Sequence, residues 1–174
     1  MSDGPMVFVG IDNGLKGALC AISHSGKIID KAPMPTIEFD NKGECDEIGV
    51  LKFLHDLYNR PEQIIVGIEE PLRHAKSSQA VRSMALGFGK IIGAMGAKGI
   101  PFRRMVIKDW QRALLGKNLA KGQTKKLALE KANALWPDEC WLATGRSRTP
   151  HDGLVDSALI AVHLRDMVAT ENHE

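Results

Sequence analysis

Five acidic residues of this chain stand where strands end or where a helix begins, and together they could bind metal ions. Asp12 closes the apolar run VFVGID, and Glu69 with Glu70 closes the run IIVGIEE. Asp152 and Asp156 lie four residues apart at the start of DGLVDSALIAVHL, so on a helix they would share one face. Like charges in this relation weaken a helix by a few tenths of a kcal/mol, roughly. Two acids at these positions therefore require an interaction that offsets their repulsion.

Bound divalent cations would offset the repulsion if the ends of the strands and the start of the helix lie close together. Active sites of α/β sheets gather at strand ends and in the adjoining loops. Clustered carboxylates repel one another at low dielectric and stay ionised only around a cation, and an all-oxygen ligand set selects Mg²⁺ or Mn²⁺. Two such ions about 3.5–4 Å apart form the clamp of in-line phosphodiester cleavage. Each acid alone is more often a turn, cap or solvated residue, but the ordered set Asp12, Glu69, Asp152 and Asp156 predicts a two-metal site.

The elements that must position these acids follow from the hydrophobic pattern. Strands are predicted at 6–12, 18–23, 27–35, 63–71 and 100–107. Helices are predicted at 47–60, 78–99, 108–116 and 124–136, with a last helix from His151 or Asp152 onward. The polar, glycine-containing segment 36–46 predicts a loop, and Thr124 predicts a helix N-cap. Hairpins followed by helix crossovers indicate an α/β fold with an antiparallel meander that continues into parallel strands.

Length and composition set the class of the protein. The chain has 174 residues and 44% hydrophobic content, so we expect one domain, 1–174, with its core at about 6–168. No apolar run approaches the length of a membrane span, and the N-terminus lacks the pattern of a signal peptide. The three cysteines are odd in number and lack metal-ligand spacing, which predicts reduced thiols inside a cell.

The charge is unevenly distributed along the chain. Residues 98–148 contain twelve Lys or Arg and four Asp or Glu, whereas the rest of the chain contains eleven and seventeen. A basic segment of this kind is either a solvated surface or the electrostatic footprint of a nucleic-acid site. Charge asymmetry alone does not decide between the two.

The segments VGIDNGLKGALCAI, IIVGIEEP and PHDGLVDSALIA, taken in order, resemble the three acidic motifs of RuvC-like Holliday-junction resolvases in the RNase H-like superfamily. The likeness runs from Val7 to Arg165 and is greatest for the phage-type and organellar branch. The resemblance implies an RNase H-like fold, with a five-stranded mixed sheet flanked by helices. It also implies a homodimer that cleaves branched DNA at two symmetric phosphates, with two Mg²⁺ ions per site and Mn²⁺ as a substitute. The implied location is a bacterial cytoplasm, for a host or phage protein, or an organelle matrix.

The motifs match site residues position by position. Asp12 matches the first acid of the resembled family, Glu69 the second, and Asp156 the acid that precedes the Ala-Leu helix. Glu70 is a second choice, because its side chain should point to the opposite face of the strand from Glu69. These matches imply that Asp12, Glu69 and Asp156 are both catalytic residues and metal ligands.

The fourth ligand departs from the bacterial pattern. In bacterial members it lies three residues before the last acid, and here that position is Gly153. Asp152, four residues before Asp156, is the expected substitute. His151 is the alternative, because some members of the family use histidine at this point.

The resemblance also implies a dimer interface and a DNA-binding surface. The Gly- and Ala-rich helix 78–98 matches the region where these enzymes dimerise, although packing on its own sheet explains the glycines equally well. Four of the expected DNA-binding lysines flank a loop that leads into a helix N-terminus, a setting that favours phosphate binding. DNA binding should therefore depend on the shape of the DNA and on the salt concentration. The tryptophans, Trp110 among them, are expected to pack in the core or loops. The expected DNA-binding residues are Arg73, Lys76, Arg82, Lys117, Lys121, Lys125 and Lys126, with His74 beside the first two.

Three other functions fit part of the pattern. A branch or flap endonuclease, or an RNase H, would use the same acids, so only matched substrates separate it from a junction resolvase. A phosphate-binding ATPase or sugar kinase shares the first motif, but it needs a second lobe and further phosphate loops. A non-enzymatic DNA-binding scaffold has no use for intact acids, and it would fail to bind Mg²⁺ in calorimetry.

Overall fold

In the computed structural model, which describes residues 6–57, 63–71, 78–117, 119–120 and 122–171, seven strands and five helices follow one another along the chain. The strands are β1 Val7–Asp12, β2 Ala18–Ser23, β3 Ile28–Pro33, β4 Thr36–Phe39, β5 Lys42–Cys45, β6 Ile64–Glu69 and β7 Phe102–Met105. The helices are α1 Glu47–His55, α2 Ser78–Ala97, α3 Ile107–Leu115, α4 Thr124–Leu135 and α5 Asp152–Glu171. Among the described residues, no helix is long and apolar enough to cross a membrane.

Five of the strands form one mixed sheet in the order β3-β2-β1-β6-β7. The first three are an antiparallel meander, and β6 and β7 extend the sheet in parallel beyond β1. The predicted fold class is therefore confirmed. Alternate residues of β1 face two hydrophobic clusters: Phe8 packs toward α5, whereas Val9 and Ile11 pack toward α1 and α2.

The predicted loop at 36–46 is wrong, because this segment contains the antiparallel hairpin β4–β5. Asp40 and Asn41 form its turn with φ of 49° and 58°, a left-handed conformation that Asp and Asn tolerate. Strand β4 (TIEF) alternates polar and apolar residues over only four positions, all of them exposed, and β5 (KGEC) does not alternate, so the sequence signal for a hairpin is short. The side chain of Lys90 in α2 donates a hydrogen bond of 2.8 Å to the carbonyl of Cys45, the last residue of the hairpin.

Several predicted helix ends also need correction. The N-cap of α4 is Gln123, which makes no side-chain capping bond, so the prediction of Thr124 is wrong. Helix α2 ends at Ala97 rather than at residue 99, because Gly99 adopts a left-handed φ of 67°. The described part of α1 ends at His55, and the predicted residues 58–60 lie outside the described residues.

Helix α5 lies directly on the sheet because glycines remove the side chains between them. A Cβ at Gly10 of β1 would lie 2.0 Å from the Ser157 carbonyl oxygen and 2.6 Å from the Ala161 nitrogen. A Cβ at Gly153 would lie 2.8 Å from the Cα of Gly17, in the turn after β1. These contacts fix the first three turns of α5 against β1 and the turn that follows it.

Replacing Gly10 by alanine should lower the free energy of unfolding strongly. The new methyl group would overlap the α5 backbone, so we expect the upper end of the roughly 1–3 kcal/mol that overpacking costs, or more. Gly145→Ala is the matched control, because a Cβ there meets nothing within 4 Å and its stability should stay within about 0.5 kcal/mol of wild type. Urea unfolding measures both variants, and a Gly10→Ala protein as stable as wild type would contradict the close contact.

Candidate active site

Two strand-end acids are brought side by side by the parallel register of β1 and β6. Ile11 pairs with Ile68, so the residues that follow, Asp12 and Glu69, leave neighbouring strands at the same edge of the sheet. Because side chains alternate along a strand, both acids point to the face covered by α5, the face that Gly10 also presents. Glu69 is only 7% exposed, and Asp12 is half-buried.

The start of α5 brings two further acids to the same edge. Asp152 is the first residue of the helix and is exposed, and Asp156 lies one turn later and is half-buried. His151 precedes the helix, and its Nδ1 accepts a hydrogen bond of 3.2 Å from the Leu154 amide. His151 therefore caps the start of α5 through its Nδ1.

The electrostatics couple these carboxylates. Burial raises the pKa of Asp12 to about 6, with a further rise from the charge of Asp152. Burial raises the pKa of Glu69 to about 8, and Asp12 adds to the rise. The pKa of Asp156 is raised to about 7 by burial, then by Asp12 and Asp152. The charges of neighbouring carboxylates thus add to the effect of burial. A bound cation would relieve both the repulsion and the cost of burial.

A buried tryptophan that the sequence interpretation assigned only to packing also belongs to this site. Trp110 of α3 is fully buried, and its Nε1–H donates a hydrogen bond of 2.9 Å to Glu69 Oε2. This bond favours the carboxylate form and partly offsets the rise in the pKa of Glu69. A buried indole N–H needs an acceptor, and that requirement was the only signal in the sequence.

The carboxylates are not arranged as a finished metal-binding group. Over the residues that the structure describes, no three His, Cys, Asp or Glu side chains form such a group. Asp152 instead forms an ion pair with Lys125, whose side chain is 77% exposed, and Glu69 is held by Trp110. An exposed pair of this kind contributes little to stability, so Asp152 can exchange Lys125 for a cation at low cost. The all-oxygen donor set suits a hard divalent ion.

Some of the remaining predicted residues lie on described elements, and the others lie outside the described residues. Glu70 follows β6, and its amide donates a hydrogen bond to the Met105 carbonyl. Exposed basic side chains are found on α2, after α3 and on the first turn of α4: Arg82, Lys117, Lys125 and Lys126. Arg73, His74, Lys76 and Lys121 lie outside the described residues.

Comparison with known proteins gives a structural match but no sequence match. No protein-family profile and no curated protein matches the sequence. A structure of Thermus thermophilus RuvC superposes with a TM-score of 0.61 at 18% identity, covering 95% of this chain and 97% of that chain. T. thermophilus RuvC in complex with a Holliday junction substrate gives a TM-score of 0.55 at 17% identity, covering 93% and 96%. This chain has the fold of RuvC.

In this RuvC-like fold, the hydrogen bond from Trp110 to Glu69 can be tested without replacing any acidic residue. Trp110→Phe keeps the buried ring and removes the donor to Glu69, so the pKa of Glu69 should rise further and Mg²⁺ binding at pH 7 should weaken several-fold. Trp136→Phe is the control, because its Nε1 donates to the Gly26 carbonyl at 2.8 Å, away from the acids. Isothermal calorimetry with Mg²⁺ should separate the two variants. Equal weakening in both would show a general effect of packing.

In the metal-free protein, the acid cluster should contribute most to stability in acid, and this contribution should be lost as the pH rises. Unfolded Asp and Glu titrate near pH 4, whereas Asp12, Asp156 and Glu69 have pKa values raised to about 6, 7 and 8 when folded. Folding therefore favours their protonated forms, and this contribution is fully present below about pH 4 and lost as the pH rises through about 8. Urea unfolding in EDTA at pH 5 and pH 8 measures the loss.

Asp12→Asn isolates the contribution of the acid cluster to this pH dependence. At pH 8 in EDTA the variant should be more stable than wild type by roughly 1–3 kcal/mol, because one repelling charge is gone. The difference should shrink at pH 5, where Asp12 is mostly protonated, and Mg²⁺ should reduce it at pH 8 by stabilising wild type. A variant that is less stable than wild type at pH 8 without metal would contradict the raised pKa values.

Proposed function

We propose that this protein is a Mg²⁺-dependent, structure-selective endodeoxyribonuclease that hydrolyses phosphodiesters in four-way (Holliday) or other branched DNA. The observation that carries the proposal is the set of coupled carboxylates at the ends of β1 and β6 and the start of α5, in a chain with the RuvC fold. Buried acids that raise each other's pKa values are costly, and metal-dependent phosphoryl chemistry accounts for that cost. DNA recombination and repair are the processes in which such an activity would act.

Asp12, Glu69, Asp152 and Asp156 are the proposed metal ligands, for two ions of Mg²⁺ or Mn²⁺. Bound there, the ions would supply Lewis-acid activation of the attacking water and charge stabilisation at the leaving oxygen. Trp110 orients Glu69 and keeps one of its oxygens engaged, which leaves the other free to face the ions. The pairing of Lys125 with Asp152 places a cationic side chain where a phosphate would approach.

A basic cleft formed by α3 and the start of α4 supports the choice of DNA as substrate. The cleft has a volume of about 520 Å³ and lies between α3 and the start of α4. Lys108, Arg112 and Lys117 line it, together with Thr124 at the N-terminus of α4. Cationic side chains beside a helix N-terminus form a setting that binds backbone phosphates, without reading the sequence of bases.

The proposed homodimer is supported by the glycines of α2. A Cβ at Gly89, Gly93 or Gly96 would meet nothing within 4 Å, so these glycines face open space. Of this group only Gly87 needs its small size within the chain, because its Cβ would lie 3.3 Å from Cys45 Cβ. Packing on its own sheet therefore leaves the other three unexplained, and close approach of a second α2 would use them. A two-fold dimer would suit paired nicks in a four-way junction.

Neutralising the strand-end acids should abolish cleavage and preserve binding. Asp12→Asn and Glu69→Gln remove proposed metal ligands, so we expect cleavage of a four-way junction with Mg²⁺ to fall by at least 10³-fold. Gel-shift affinity in Ca²⁺ or EDTA should stay within about threefold of wild type, because basic residues hold the phosphates. Arg82→Ala removes an expected phosphate contact and keeps all the acids, so it should weaken junction binding in Ca²⁺.

The preferred substrate distinguishes a junction resolvase from related nucleases. Matched four-way, three-way, flap and RNA–DNA hybrid substrates should be nicked in that order of preference, with paired nicks only in the four-way junction. Preference for the hybrid would replace the resolvase by an RNase H. Loss of junction binding in a folded Asp12→Asn protein would contradict the assignment of this acid to metal.

A further inference from the structure

The hairpin β4–β5 presents two large apolar side chains that its own chain leaves exposed. Ile37 is 44% exposed and Phe39 is 62% exposed. They are two residues apart on β4, so they share one face of the hairpin and lie about 7 Å from each other. Single exposed apolar residues are common, but an isoleucine and an aromatic ring side by side on one face indicate an interaction surface.

This apolar face of the hairpin adjoins the exposed side of α2. Ile37 pairs with Glu44 in the hairpin, so the two side chains lie on the same face. Glu44 Oε2 is 3.6 Å from Lys90 Nζ of α2. Leu86, one turn before Lys90 on the helix, is 45% exposed. The apolar face of the hairpin therefore continues into the exposed side of α2, where the open glycines lie.

The hairpin is held in place on both of its faces. On the α2 side, Lys90 donates its hydrogen bond to the Cys45 carbonyl in addition to facing Glu44. On the other side, a Cβ at Gly43 would lie 3.8 Å from Leu15 Cδ1, so the turn after β1 supports the hairpin there. A surface that is already fixed loses little conformational entropy when a partner binds to it.

The charges of the two segments exclude DNA as the partner of this face and favour α2. Residues 36–47 contain five Asp or Glu and one Lys, so they repel a phosphate backbone. Residues 78–98 contain no acidic residue and three basic ones: Arg82, Lys90 and Lys98. A partner for the hairpin must be apolar and cationic, and the exposed side of α2 has both properties.

We propose that the hairpin β4–β5 is an arm that packs its Ile37 and Phe39 on α2 of a second copy of this chain. The inference rests on the homodimer proposed above and adds a second contact to it. The hairpin lies beside the N-terminal half of α2, where it meets Lys90. When two α2 helices meet antiparallel across a two-fold axis, which suits their dipoles, the N-terminal half of one faces the C-terminal half of the other. The arm would then reach Ala97 and Lys98 of the partner subunit.

Phe39→Ala tests whether the arm contributes to the dimer. Sedimentation equilibrium over a dilution series should show the dimer dissociation constant raised at least tenfold, because buried aromatic anchors dominate interfaces. Phe39 is exposed in the single chain, so the urea midpoint of a dilute, monomeric sample should not change. Ile29→Ala is the control. Ile29 is 48% exposed in β3, on the main sheet, and its variant should stay within twofold of wild type.

Chemical cross-linking tests where the arm lies. Lys42 pairs with Phe39 on the same hairpin face, so Lys42→Cys labels the arm and keeps the aromatic ring. A copy with Lys42→Cys is mixed with a differently tagged copy with Ala97→Cys. Both also carry Cys140→Ser, because Cys140 is exposed whereas the other two cysteines are buried. Each copy then has one exposed thiol, and a short bismaleimide should join the two tags. Ile29→Cys in place of Lys42→Cys should give no mixed product.

The outcomes separate this inference from the proposed function. The inference requires both the weaker Phe39→Ala dimer and the mixed cross-link, and the absence of either overturns it. If Phe39→Ala keeps a wild-type dimer but weakens junction binding, DNA covers this face and the inference is wrong. Gly93→Leu fills the open side of α2 and should abolish the dimer, so a Gly93→Leu dimer would overturn the inference and the proposed α2 interface together. A monomeric wild type that still cuts branched DNA would leave the nuclease proposal intact and refute only the dimer and its arm.

Discussion

The contact between the backbones of α5 and β1 is the constraint on which the rest of the structure depends. Gly10 allows the Ser157 carbonyl to sit where a Cβ would be, and Gly153 does the same against the turn that follows Asp12. A helix one side chain farther from the sheet would carry Asp156 away from the strand-end acids. The approach that buries the apolar side of α5 therefore also creates the acid cluster, so packing and chemistry share one set of glycines.

The same carboxylates that form the candidate site lower the stability of the folded protein when they are ionised. Burial and mutual repulsion raise the pKa values of Asp12, Asp156 and Glu69, so the ionised cluster opposes the folded state that contains it. The cost is met by apolar packing on both faces of the sheet, and the Trp110 hydrogen bond reduces it only in part. Residues that bind a charged ligand are commonly a source of instability without it, and here the source is three carboxylates at one edge.

The features that the sequence predicted are those encoded by nearby residues, and the features it missed depend on residues far apart. Strand and helix periods, turn residues and the acids at strand ends are local patterns, so the mixed sheet and the positions of Asp12 and Glu69 could be predicted. The strands of the hairpin β4–β5 have only four residues each, too few for a clear periodic signal, and Trp110 contacts Glu69, which lies 41 residues away in the sequence.

The uneven charge of the chain now has a physical interpretation. The basic segment supplies α3 and α4, the acidic remainder supplies the strand ends and the start of α5, and the two meet where Lys125 pairs with Asp152. Neither charge is strongly satisfied by that exposed pair. A ligand that brings phosphate to the lysine and divalent cations to the aspartate would satisfy both at once. Nucleic acid with its metal ions, the ligand proposed above, is of this kind, and under that proposal the ion pair occupies the positions that phosphate and metal would take.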